Sequence, residues 1–454
     1  MNVPTQNQRP SLFQRCCVAL FGVSLIFPAG SLRALPGGLD VSHGQVNLSA
    51  GGNSMQIEQL TQEAIANWES FSIGAGQSVD ISQPGVDAVL LNRVLGADPS
   101  QLLGQLNANG RVYLINPNGV LVGRDASINT AEFMASALDV ADEDFLDGGD
   151  LNLSGDTPAS VVNLGEITAA NGDVFLIAHT VENAGEIAAE NGVAALAAGQ
   201  SVVLSPESDQ RILVKTGLKG SDAEAGVANS GLIKAAQAEL KAAGGNVYEL
   251  AVNQSGIIHA TGIEERDGRV LITAEDGVVG HSGQVQAANQ DGSGGKVLIG
   301  GDYLGGNPEI ENAANTVVTE DGRIDVSATA PDADAGRAII WSDQGTRFLG
   351  RIEGRGGAAG GDGAFAEVSG RDYLDFRGSA DLSAPFGEAG RLLLDPASLT
   401  VQATGSENAQ STGGNPFLFE EGTAPSILLV STLESQLANS DVALRGGSIA
   451  VDDP

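Results

Sequence analysis

Asn163-Leu-Gly-Glu-Ile167 and Asn183-Ala-Gly-Glu-Ile187 lie twenty residues apart and differ at one position. Each is followed by a second apolar run, Asn171-Gly-Asp-Val-Phe-Leu-Ile177 and Asn191-Gly-Val-Ala-Ala-Leu196. Looser copies of the first half recur at Asn229-Ser-Gly-Leu-Ile233, Gly256-Ile-Ile-His-Ala260 and Ser282-Gly-Gln-Val-Gln286. Copies of the second half recur at Gly245–Leu250, Gly268–Ile272, Gly295–Ile299, Gly336–Ile340, Gly363–Val368 and Gly390–Leu394. Each unit reads as a pair of four-to-six-residue strands bounded by Gly, Asn and Asp turns. Strands this short cannot bury a face alone, so stacking coil on coil is the way to close a core. A period near twenty with no helical pattern between the strands predicts an all-β, right-handed parallel β-helix. A β-propeller needs about twice that period. Ala-rich Gly192–Gly199 suits a narrow bore, and Asn before Gly suits left-handed turns and side-chain ladders between coils. At about twenty residues per coil, the chain predicts about twenty coils in a monomeric rod on the order of 100 Å long.

The composition agrees. Of 454 residues, 62 are Gly and only 4% are aromatic, which favours many tight turns and small interior side chains over an ordinary enzyme core. The net charge of −34 repels phosphate backbones and anionic bilayers, so nucleic acid is not an expected partner.

Residues 1–34 read as a signal peptide, with Arg9 and Arg15 before the apolar run Cys16–Phe27, which is too short to span a bilayer. Both cysteines lie in that run, so a mature chain has none and remains threadable. A solenoid needs its end covered. Residues 35–80 are expected to form that cap, with Gly44–Leu48, Ser54–Gln59 and Ala64–Trp68 strand-like and Trp68 as a plug. Pro99–Leu106 is the one expected α-helix here, with Asp98 as N-cap and Pro99 at the first turn. The acidic run 139–150 is expected to leave the helix as a solvated excursion rather than to hold Ca²⁺.

The stretch Leu90-Leu-Asn-Arg-Val94, followed by Leu106–Gly123 with its Asn116-Pro-Asn-Gly119, carries more than architecture. With Leu35-Pro-Gly-Gly38, Trp68–Ile73, Phe133–Asp139 and the acidic run into Phe145-Leu146, it resembles the N-terminal secretion domain of filamentous haemagglutinin-like two-partner secretion exoproteins. The likeness is to the high-molecular-weight-adhesin branch: a second Asn-Pro-Asn-Leu motif is missing, and Asn92-Arg-Val94 occupies the comparable region. It is dense over about 35–200 and repeat-level beyond.

The resemblance implies export across the inner membrane, then recognition in the periplasm by the POTRA domains of a partner outer-membrane β-barrel. The chain would then wind into its helix at the surface of a Gram-negative cell, each coil templating the next. Asn92, Arg93, Asn116, Pro117, Asn118 and Gly119 are the expected recognition residues. The plain alternative is a turn that only fixes the cap. The expected role is an adhesin meeting a surface receptor or glycan. The alternatives are the stalk of a toxin-delivery or haemolysin-type exoprotein and a polysaccharide-acting enzyme.

No catalytic, metal or cofactor residues are expected. The four His (43, 179, 259, 281) are scattered, with 179 and 259 read as turn or core residues, and no Gly-x-Ser-x-Gly or phosphate loop occurs. The chain divides on sequence into a signal peptide (1–34), a secretion domain with cap (35–155), repeats (156–400) and a looser C-terminal segment (401–454). That last segment is expected to mark a truncation or the front of a longer exoprotein.

Overall fold

From Val120 to Ala178 the chain completes two coils, each of three strands. The first is Val120–Val122, Ser127–Thr130 and Glu132–Ser136; the second is Ser160–Asn163, Glu166–Ala169 and Val174–Ala178. Corresponding strands pair in parallel, as in Val120↔Val161, Ile128↔Ile167 and Phe133↔Val174. Side chains alternate: Val161, Ile167, Ala169, Val174 and Leu176 point inward and are fully or almost fully buried. Burying one such Val, Ile or Leu stabilises the coil by about 1.5–3 kcal/mol. The three strands define three faces, and each coil contributes one rung to each face. The computed structural model describes residues 35–205, 210, 212–214, 226–243, 250–264, 266–405 and 426–452. The signal-peptide reading, residues 245–249 of one repeat and residues 406–425 of the looser C-terminal segment lie outside the described residues.

The fold is a parallel β-helix. Among the described residues the first face is a ten-stranded sheet, and the second and third faces, with two strands of the cap, join into a 25-stranded one. The expected count of about twenty coils is too high. The offset between first-face partners is 20 residues from Val161 to Val181, but 46 from Val181 to Val227 and 28 from Thr346 to Leu374. Only a rung's strands must match in length, so the loops between them absorb the excess.

The cap is smaller than expected. Asp40–His43 runs antiparallel to Glu63–Trp68, and Val46–Gly51 antiparallel to Ser54–Gln59. Ser54–Gln59 and Glu63–Trp68 already belong to the coil, pairing in parallel with Ser78–Ser82 and Val89–Val94. Trp68 is therefore no lid: it is an inward residue of the first coil, edge-on to Phe71 with centroids 5.5 Å apart.

The expected helix over Pro99–Leu106 is absent. Ser100–Leu102 and Gln105–Ala108 are strands of the first and second faces. Ser100, Leu102 and Leu106 are buried and pair between rungs, so the ladder overrides a local helix start. The acidic run does leave the coil: Asp142–Leu146 is one helical turn and a half, and Leu151–Ser154 pairs antiparallel with Ser201–Leu204. Together they cover outward residues of the third face, among them Tyr113, Met134, Phe175, Val193 and Ala195. That cover explains why Val174–Ala178 and Val193–Ala198 are apolar at every position instead of alternating. Of Gly192–Gly199, only Ala194, Leu196 and Ala198 line the bore.

The repeated Asn-x-Gly corner between first and second faces is held in two ways. Asn163 Nδ2 donates to Asn183 Oδ1 at 2.8 Å, Asn183 Nδ2 to Asn229 Oδ1 at 2.7 Å, and Asn229 Nδ2 to Gln254 Oε1 at 2.7 Å. All four amides are completely buried. The asparagines are not left-handed: among the described residues only Asp276 and Leu304 have positive φ without being Gly. The glycines are needed for space instead. A Cβ on Gly185 would land on the carbonyl oxygen of Gly165, and Gly231, Gly256 and Gly283 each repeat that approach to the glycine before. In the same column the amides give way to His281, Val318, Phe348 and Phe376, the last two rings stacked 5.6 Å apart.

Candidate functional site

Asn116-Pro-Asn-Gly119 forms the corner where the third face, ending at Ile115, passes to the first face of the next rung at Val120. Pro117 fixes φ at the second position of the turn, and Gly119 takes a positive φ of 104° at the fourth. Gly119 N donates to Asn116 O at 2.8 Å, and Asn118 N to Asn116 Oδ1 at 2.9 Å, so the turn closes on its own first residue. The Asn116 amide then donates to Asp98 O and Ser100 Oγ, both at 3.0 Å. Asn118 Nδ2 reaches Gly96 O at 2.9 Å. The turn thereby fixes the 95–100 loop, the matching corner one rung earlier. Asn116 is completely buried, Pro117 half-buried, Asn118 exposed, and Leu95 presents a 68% exposed side chain beside them.

Asn92 and Arg93 leave their strand on opposite sides. Asn92 points into the bore, completely buried, where its Oδ1 accepts the Trp68 indole N–H at 3.0 Å. Its Nδ2 donates to Leu90 O and Tyr113 O. Arg93 points outward to the acidic excursion, with Nε to Asp139 at 2.9 Å, Nη1 to Asp142 at 2.6 Å and Nη2 to Val140 O at 2.7 Å. Burial works against its charge, but the hydrogen bonds to Asp142 and Asp139 outweigh it and raise the guanidinium above its ordinary pKa.

Of the six expected residues, the turn and the loop after Arg93 meet, whereas Asn92 and Arg93 serve two different neighbours. Sequence reading missed the Arg93 clamp, because its partners lie 46 and 49 residues on; the acidic run itself was the available signal. It also missed the buried Gln83 amide, which donates to Gln59 Oε1, Ala88 O and Arg111 O, for nothing marks a single Gln as interior.

Chemistry elsewhere is sparse. Among the described residues no group of three or more His, Cys, Asp and Glu is placed to hold a metal. His259 is exposed on the second face rather than in the core, because it faces outward between Lys234 and Gln286. The buried histidine is His281, lowered to about 4 by burial. No helix among the described residues is long and apolar enough to cross a membrane.

The TPS secretion domain family model matches residues 33–287. The Heme/hemopexin-binding protein of Haemophilus influenzae is 32% identical over 257 residues, which are 54% of this chain and 28% of that protein. A second H. influenzae protein of the same name is 44% identical over 88 residues, 19% of this chain and 10% of that protein. The chain thus spans little more than a quarter of the length of the first of these relatives. Among solved structures, the HMW1 secretion domain from H. influenzae superposes with a TM-score of 0.59 at 28% identity, covering 79% of this chain and all of that one.

Proposed function

Since the chain belongs to the TPS secretion domain family, we propose that it is a Gram-negative exoprotein, brought to the periplasm by residues 1–34 and exported through a dedicated outer-membrane partner. The POTRA domains of that partner recognise the surface around Asn116-Pro-Asn-Gly119. The observation that supports this assignment is the turn itself: a buried Asn and a positive-φ Gly set an exposed Asn118 beside an exposed Leu95 on a pinned loop. Asn92 and Asn116 act from inside by holding that surface in shape, and Arg93 by clamping the acidic excursion. Residues 35–155 hold the recognised surface, and 156–400 continue the same coil as scaffold.

The test is secretion of the chain co-expressed with its transporter, comparing Asn118→Ala and Asn116→Ala with the unaltered protein. Both variants should accumulate in the periplasm, and undiminished release of both would sink the assignment.

At the cell surface the exported chain serves as an adhesin, meeting a receptor or glycan on a host or neighbouring cell. The relatives named for haem and hemopexin favour a second reading, capture of haem or its carrier. Adherence of cells displaying the whole exoprotein, set against hemopexin pull-down by the same cells, separates the two.

A further inference from the structure

A cavity of about 320 Å³ opens on the outer side of the third face, over the rungs of Arg111–Ile115, Glu132–Ser136 and Val174–Ala178. Its size is at the small end of the range of about 300–1,000 Å³ that holds small ligands. Glu132 and Asp173 stand on adjacent rungs, each one position before the paired Phe133 and Val174. Tyr113 donates its hydroxyl to Glu132 Oε1 at 2.5 Å, and the backbone N–H of Val193 donates to Asp173 Oδ1 at 2.8 Å. Arg111 spans the wall, 3.2 Å from Asp87 and 3.9 Å from Glu132 Oε2. Burial, then the negative charge of Asp173, raise the Glu132 carboxyl above its ordinary range. Phe175 and Leu204 lie buried beneath it, and Asn171 stands exposed at the rim.

The charges decide what can enter. An anion such as phosphate would meet two carboxylates side by side. A simple ammonium would meet Arg111 and Arg266 in the same small space. A neutral ring with hydroxyl groups suits both walls, donating to the carboxylates and accepting from the guanidinium. We propose that this cavity binds one neutral sugar ring of a glycan, held between the Glu132–Asp173 carboxylates and Arg111. The site gives the surface-binding reading a place and a ligand class, and rests on that reading for where the glycan is met. Its test is made on purified protein and is separate from export.

Saturation-transfer NMR on the full chain, with methyl glucoside, methyl galactoside and N-acetylglucosamine as probes, should give a titratable signal from at least one. Glu132→Gln and Arg111→Gln should each weaken that binding about tenfold, the loss of one charge-assisted hydrogen bond. Should either fail to fold, Asn171→Trp fills the mouth from an exposed position and should abolish the signal. Silence from all three sugars overturns the proposal. So does tighter binding of N-acetylneuraminic acid or spermidine, or a sugar signal that Asn171→Trp leaves intact.

Discussion

The two kinds of corner in this β-helix solve the same problem differently. Between the first and second faces, Asn163, Asn183, Asn229 and Gln254 repeat one arrangement, each amide bonded to the next and each followed by a glycine pressed on the glycine before. At Asn116-Pro-Asn-Gly119 the asparagines spend their hydrogen bonds on the loop 96–100 and on each other. The amides of the repeated corner are wholly interior, so stacking alone accounts for them. The single corner sets Asn118 at the surface just before a positive-φ glycine, a conformation the repeated corners do not use. What recurs serves the stack, and what departs from the repeat makes one rung unlike the next.

That contrast can be broken. Gly185→Val drives a branched side chain into the Gly165 carbonyl and should cost about 3 kcal/mol or more, read as a lowered urea midpoint of the purified chain. A midpoint within error of the parent would mean that the glycine column is not close-packed in solution.

Acid acts on the same column through His281, whose folded pKa of about 4 lies below its ordinary 6.5. The unfolded chain then binds the extra proton between those values, so this contribution to stability is present above pH 6.5 and is lost as pH falls towards 4, by about 3 kcal/mol at most. His281→Gln, which extends the amide column, should flatten the dependence over that window. An unchanged slope would place the acid sensitivity elsewhere. Glu367, buried and raised to about 7, works in the opposite sense, destabilising the fold as pH rises from about 4.5 to 7. The two are therefore separable by mutation.

Asn183→Ala removes one acceptor and one donor in mid-ladder and should cost about 2 kcal/mol, with faster amide exchange in the rungs of Asn163 and Asn229. The smallest stability effect belongs to Asn118→Ala, within about 0.5 kcal/mol because the side chain is exposed. Its effect on export should nonetheless be severalfold. If Asn183→Ala impaired release and Asn118→Ala did not, the division between scaffold and recognised corner would be reversed.

The architecture was legible because Asn163–Ile167 and Asn183–Ile187 fall on two rungs with no insertion between them. The coil count was not, since insertions after a rung, such as the one after Ala198 that carries Ser201–Leu204, lengthen the turn without joining the ladder. Pro99–Leu106 misled because a good helix start was read without the neighbouring rung that makes a strand of it. The turn Asn116-Pro-Asn-Gly119 was visible as four residues, but its hold on Asp98 and Gly96 was not, because backbone carbonyls leave no mark in a sequence. The Glu132–Asp173 pair was invisible for the same reason the rungs were miscounted: 41 residues separate two neighbours.

The amide ladder has a polarity. Every bond from Asn163 to Gln254 runs from nitrogen to oxygen in the direction of the C-terminus, so the two ends of the column are chemically distinct. A partly wound chain that has laid down Asn163 and Asn183 exposes an amide hydrogen at its leading end and no free carbonyl to match at its trailing end. A rung added after Asn183 must therefore bring an acceptor, whereas the rung before Asn163 presents Val122 and brings no donor.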